Sequence, residues 1–248
     1  QTIETAGKSI YGFTFNGLGG SWILSDALTI TNGITTTAGT FNTNGYSVST
    51  PAWTTSGTQV RALTLGASTV TLTQTNFTPW NFAGSNMTFS GASSTIVLPT
   101  STSLRTFAGN GYTYGTLTYN VAGSTGALTI TGSNTFTTIN FSDTSNARTL
   151  TFTAGTTTTV TNLNASGTAG KNMTLTSSAG GSAWNLVKTS GSIALTYVSI
   201  QDSAASGGAT FGATWSQSVS GNSGWTITGI WKVLPGGGAW TSAGTWDA

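Results

Sequence analysis

The sequence has no cysteine and no histidine. No disulfide, no Cys/His metal site and no Ser-His-Asp or Cys-His constellation can be built within it. Charge is almost as scarce. Asp, Glu, Lys and Arg make up 5% of the 248 residues, against roughly 25% in ordinary soluble domains. The acids are Glu4, Asp26, Asp143, Asp202 and Asp247, and the bases Lys8, Arg61, Arg105, Arg148, Lys171, Lys188 and Lys232 form no run. A net charge of +2 without a basic patch leaves no footprint for nucleic acid. No apolar run reaches the roughly 18 residues of a transmembrane helix, so no membrane span is expected. No stretch spaces its apolar residues at 3 and 4, so no helix is expected either. The chain opens on Gln1 rather than Met, which reads as a processed product or an excerpt of something longer.

Thr, Ser, Gly and Asn fill the space that charge leaves. Such a chain meets water with hydroxyls, amides and turns. Nine Trp and eleven Phe argue for a packed core, because disordered chains are poor in aromatics and rich in charge.

One short phrase keeps returning: Ala127-Leu128-Thr129-Ile130, Thr149-Leu150-Thr151-Phe152, Asn172-Met173-Thr174-Leu175 and Ala194-Leu195-Thr196-Tyr197. Its anchors, Leu128, Leu150, Met173 and Leu195, recur at intervals of 22, 23 and 22, and a second track of Phe136, Val160 and Trp184 recurs at 24 and 24. Each phrase alternates apolar with polar, which is strand periodicity. A period in this range marks a stacked repeat, and at roughly 3.3 Å per residue it holds two or three short strands with their turns. The sequence therefore predicts an all-β, right-handed parallel β-helix, a β-solenoid. Leu, Ile, Phe and Val should point inward and Thr outward. The phrase Thr116-Leu117-Thr118-Tyr119 comes only 11 residues before Leu128, so it should lie on another face of the coil. Asn44-Gly45 is a turn signal, and Phe77-Thr78-Pro79-Trp80-Asn81-Phe82 reads as a core plug. Aromatic-rich segments near Trp22 and from Trp215 onward are expected to form irregular caps. A β-sandwich is the competing all-β reading. Residues 1–230 are expected to form the β-helix module. Residues 231–248, with Pro235 and three glycines after it, read as a linker, a cap or the start of a following module.

The run Asn146-Ala147-Arg148-Thr149-Leu150-Thr151-Phe152-Thr153-Ala154-Gly155, then Tyr197-Val198-Ser199-Ile200-Gln201-Asp202-Ser203, then Gly221-Asn222-Ser223-Gly224-Trp225, resembles a β-helical repeat module of very large phage virion proteins (tail and head appendages) and bacterial surface adhesins. The opening, with Gly19-Gly20-Ser21-Trp22 and Thr37-Ala38-Gly39-Thr40-Phe41, is similar too. Gly238-Ala239-Trp240 and Gly244-Thr245-Trp246-Asp247 resemble the start of a second such module. The resemblance implies a structural role in a virion or at a cell surface, with copies of itself or other structural proteins of the same particle as partners. It brings no catalytic residues.

Five dispersed acids without histidine are a poor supply for a hydrolase or lyase, since glycoside hydrolysis needs two carboxyls roughly 5 to 10 Å apart. No enzyme activity, cofactor or metal is expected. Asp202 reads as a turn residue. Trp80, Trp184 and Trp215 are the candidate ligand contacts: an exposed indole stacks on a pyranose face and would serve a cell-surface glycan, whereas a buried one packs the core. Recurring Thr-x-Thr pairs such as Thr129/Thr131 and Thr151/Thr153 suggest an ice-binding array. The exchange of Thr for Ser, Asn and Gly at outer positions argues against a regular one.

Overall fold

Alternation of apolar and polar residues gives every strand one inward and one outward row. The strands are short because Gly, Asn and Ser interrupt them before they can extend. The computed structural model describes residues 1–75, 77–119 and 123–229, with the backbone alone of 232–233 and 246–247. Among the described residues every regular element is a strand. Those of residues 2–227 pair in parallel, most of them with the strand about one coil before and the strand about one coil after. The chain is a parallel β-solenoid of about ten turns. The expectation for residues 231–248 falls outside the described residues, apart from an antiparallel pairing of Lys232–Val233 with Trp246–Asp247.

Three faces follow one another around each turn. Face A carries the inward column Phe41, Leu63, Phe89 and, further on, Tyr114, Phe136, Val160. Face B carries Leu28, Val48, Val70, Ile96, Leu117, Ile139 and Leu163. Face C carries Phe13, Ile34, Trp53, Trp80, Phe107, Ile130 and Phe152. Most of these side chains are buried and together they form one continuous core. No single turn could bury its own apolar row; stacking does so for all of them.

The interior of the first six turns is an aromatic spine. Phe15 lies on Phe41 with centroids 4.3 Å apart, and Phe41–Trp53, Trp53–Trp80 and Trp80–Phe107 follow at 5.8 Å each. Phe107–Phe136 continues it at 5.7 Å. Each such pair adds about 0.5–1.5 kcal/mol beyond the area it buries. Phe82 and Trp80 form the expected core plug, while Phe77 of the same segment turns outward. Beyond this the core becomes aliphatic, with Leu128, Leu150, Leu175 and Ile200 in register.

The faces largely keep register, with shifts such as those between Arg105 and Phe107 and between Ile200 and Gln201, while the corners vary in length. One turn takes 21 residues from Phe13 to Ile34, 27 from Trp53 to Trp80 and 18 from Ile200 to Ser218. This corrects two details of the repeat. Leu150 pairs with Leu175 rather than with Met173, and Leu195 lies on face B opposite Ala213. Trp184 likewise pairs with Ser203 instead of following Val160. Leu117 does lie on a different face from Leu128. The Asn44-Gly45 turn forms, with φ of 54° and 80°.

At Gly115 the corner between faces A and B narrows to a single residue. A Cβ there would lie 2.2 Å from the carbonyl oxygen of Ser94 in the turn before, so only glycine fits. Aromatics sit at both ends of the described coil. The Trp22 indole donates to Gln1 Oε1 at 3.0 Å, and that of Trp225 donates to Ser203 Oγ at 3.0 Å.

Candidate functional site

The three tryptophans singled out from the sequence have different fates. Trp80 is fully buried on face C. It lies 4.1 Å from Phe82, centroid to centroid, and its Nε1 donates to Tyr114 Oη at 3.2 Å. Trp184 is also fully buried, stacked 3.9 Å from Phe152. Neither offers a ring face to a ligand; both fill the core. Trp215 is 53% exposed. It stands on the corner between faces B and C, its ring 6.4 Å from that of Tyr197 and 14° from parallel with it. Tyr197 and Trp215 both have φ of 54°. Bulky side chains rarely occupy that region, and backbone held there collects at functional positions. Two strained aromatic residues, one per turn, thus present a pair of stacked rings at an outer corner.

A second surface feature lies at the other end of the coil. A groove of about 340 Å³ runs over Gly12, Gly33 and Ala52, flanked by Tyr11, Asn32, Thr14, Thr35 and Thr54. Three successive turns form its floor, because Gly12 pairs with Gly33 and Ile34 with Trp53. Tyr11 is 76% exposed. The groove offers hydroxyl, amide and phenol groups and no charge, which suits a neutral, hydroxylated ligand.

The outer faces are hydroxyl and amide ladders. On face C, Thr106, Thr129, Thr151 and Thr176 stand in register over four turns. On face B, Thr69, Thr95, Thr116, Thr138 and Asn162 do so over five. Asn164 Nδ2 donates to Asn140 Oδ1 at 2.7 Å, and Asn140 Nδ2 to Thr118 Oγ1 at 3.4 Å. The side chains thus bond along the axis as well as the backbones.

Among the described residues the acids do not converge. Asp26 accepts from Thr5 N at 2.9 and 3.0 Å, from Thr5 Oγ1 at 2.9 Å and from Gly7 N at 3.4 Å. The Thr5 backbone bond above all holds its pKa below the usual 3.8, against a smaller effect of burial. Asp143 lies 3.1 Å from Arg148 Nε and accepts from Ser145 N and Asn146 N. Asp202 is buried at φ 51° and accepts from Gly181 N at 3.0 Å, the turn role expected of it. Each staples one coil to another or closes a turn. Among the described residues no three acids gather as metal ligands, and no helix is long and apolar enough to cross a membrane.

Sequence reasoning missed the bases inside the coil. Arg61, Arg105 and Arg148 are buried. Arg61 is held at its tip: its Nη1 lies within donating distance of the carbonyls of Gly57, Gln59 and Ser85, and its Nη2 donates to that of Ala83. Arg105 and Arg148 both lie against the Tyr119 ring, at 5.2 and 4.8 Å from its centroid. Strand alternation would have found Arg105, because in Arg105-Thr106-Phe107 the arginine shares the inward row with phenylalanine.

No family model, no curated protein and no solved structure matches this chain.

Proposed function

We propose that this chain is a non-catalytic structural module, a rigid β-solenoid shaft of a virion appendage or another extracellular fibre. Its ends and lateral faces would make assembly contacts with copies of itself or with other structural proteins of the same particle. The observation that carries this reading is the use to which the buried acids are put. Asp143 and Asp202 are engaged in holding turns together, and the outer faces B and C are uncharged ladders. A stack whose main chain and side chains both bond along one axis provides length and stiffness, with open edges only at its two ends. Electron microscopy of the native assembly tests this. The expected image is a rod that recurs in a symmetric array. A single-copy domain with free lateral faces would sink the proposal.

A second reading, a glycan- or receptor-binding adhesin module, is favoured by the Tyr197–Trp215 ring pair and by the groove beside Tyr11. Aromatic faces next to amides and hydroxyls suit pyranose rings. A glycan array probed with wild type, Trp215→Ala and Tyr11→Ala decides it. Glycan signals that vanish in either variant support an adhesin, and an array blank for all three removes that reading.

A further inference from the structure

The groove beside Tyr11 gathers polar side chains that the fold leaves unused. Tyr11, Thr14, Asn32, Thr35 and Thr54 all line it. None of their side-chain polar atoms has a hydrogen-bond partner among the described residues. Comparable amides at other corners are engaged: Asn44 Nδ2 donates to the Leu24 carbonyl at 3.3 Å, and Asn86 Nδ2 to that of Thr58 at 2.8 Å. Thr14, Thr35 and Thr54 stand in register on three successive turns, so they repeat along the axis at steps of about 4.8 Å. Along the chain Tyr11 and Asn32 come just before the floor of Gly12, Gly33 and Ala52, and the three threonines come just after it.

Two backbone features open this groove. Ile10 pairs with Ile30 and Gly12 with Gly33, so Thr31 and Asn32 together oppose Tyr11 alone. A bulge of this kind re-aims a side chain, and here Asn32 is exposed. The second feature is Gly12. It is not among the residues with positive φ, and a Cβ there would meet nothing closer than the Gly33 carbonyl oxygen at 3.4 Å. Unlike Gly115, it is not glycine because the stack forbids a side chain. Glycine weakens a strand interior and marks places where a ligand comes close to the backbone. What a side chain at position 12 would occupy is the groove itself.

We propose that the groove receives the uncharged terminal pyranose of a glycan. The Tyr11 ring packs on an apolar face of the sugar. The Asn32 amide and the threonine hydroxyls answer the sugar hydroxyls, since each of these groups can both donate and accept. No charged side chain lines the groove, so an acidic sugar finds no counter-charge there. Its volume of about 340 Å³ stands at the small end of ligand pockets, roughly 300–1,000 Å³, and suits one ring rather than a long chain. This inference rests on the adhesin reading and narrows it to the first three turns, leaving the Tyr197–Trp215 pair outside the site.

Nuclear magnetic resonance of the whole chain tests it, with the methyl glycosides of glucose, galactose, mannose and N-acetylglucosamine as probes. At least one of the four should shift the Gly12 and Gly33 amide signals and saturate at millimolar concentration. Gly12→Val should abolish those shifts while melting no lower than wild type. Tyr11→Ala, which removes a largely exposed side chain, keeps the test open if Gly12→Val does not fold, and it should raise the Kd about tenfold. Shifts at Gly12 and Gly33 that survive both substitutions overturn the proposal. Shifts confined to residues around Trp215 overturn it too, but leave the adhesin reading standing. No response to any of the four probes overturns it as well, and a glycan array then decides whether the adhesin reading falls with it.

Discussion

Trp80 Nε1 and Tyr114 Oη meet at 3.2 Å inside the coil, one from face C and one from face A, and the same phenol donates onward to the Gly109 carbonyl at 2.7 Å. This relay ties two faces together through the core, where water cannot replace either bond. Tyr114→Phe would strand the indole N–H and the carbonyl together. The expected loss is about 1–3 kcal/mol in urea unfolding. The same phenol sets an alkaline limit. Burial pushes its pKa far above that of an ordinary phenol. The unfolded chain releases this proton near pH 10, whereas the folded one keeps it, so stability falls as pH rises past that point. Tyr114→Phe should flatten this alkaline slope.

Asp26 sets an acid limit at the first turn. Its bonds to Thr5 and Gly7 depress its folded pKa. The stabilisation is present above the unfolded carboxyl pKa and is lost as pH falls through the depressed folded one. Amide exchange of residues 3–7 should therefore quicken in strong acid, ahead of the core. Asp26→Asn should show that faster exchange already at neutral pH; unchanged protection would contradict the role given to this carboxylate.

Gly115→Ala should be severe. The new Cβ would meet the carbonyl oxygens of Ser94 and Ala92 at 2.2 and 2.8 Å, and both belong to backbone held in the stack. Overpacking of this kind costs about 1–3 kcal/mol or more. Gly212→Ala is the control, because its nearest neighbour is Ile193 O at 3.9 Å. Thermal melts should separate the two by several degrees.

Two buried threonines should respond oppositely to valine. Thr36 Oγ1 accepts from Trp53 Nε1 at 3.2 Å, whereas Thr158 Oγ1 has no partner among the described residues. Thr36→Val leaves an indole N–H unanswered and should destabilise by about 1–3 kcal/mol. Thr158→Val removes an unanswered hydroxyl and should be neutral or stabilising by about 1 kcal/mol. Equal losses at both sites would mean that Thr158 is hydrated in solution.

The sequence made the solenoid legible because stacking repeats its own period. Leu128 and Leu150 were found in register, and so were Phe136 and Val160. It failed where corners change length. The Thr-Leu-Thr phrase suits every face equally, so Leu195 on face B looks the same as Leu150 on face C. Exposure of the tryptophans was illegible for a similar reason. Trp80 and Trp184 lie within inward rows, whereas Trp215 stands at a corner where alternation stops. The buried bases were overlooked because charge usually marks a solvated face, and here Arg61, Arg105, Arg148 and Lys188 are all buried.

Because each face must match its neighbours residue for residue while each corner answers only to itself, change accumulates unevenly along such a chain. Residues 98–104 lengthen one corner between stretches that pair with their neighbours on either side. A foreign loop grafted into an outer corner would leave the ladder above and below it intact, whereas one residue added within a face would invert its inward row from there to the next bend. The coil is in this sense a carrier: its faces fix where each successive corner stands, and its corners are free to differ in what they display.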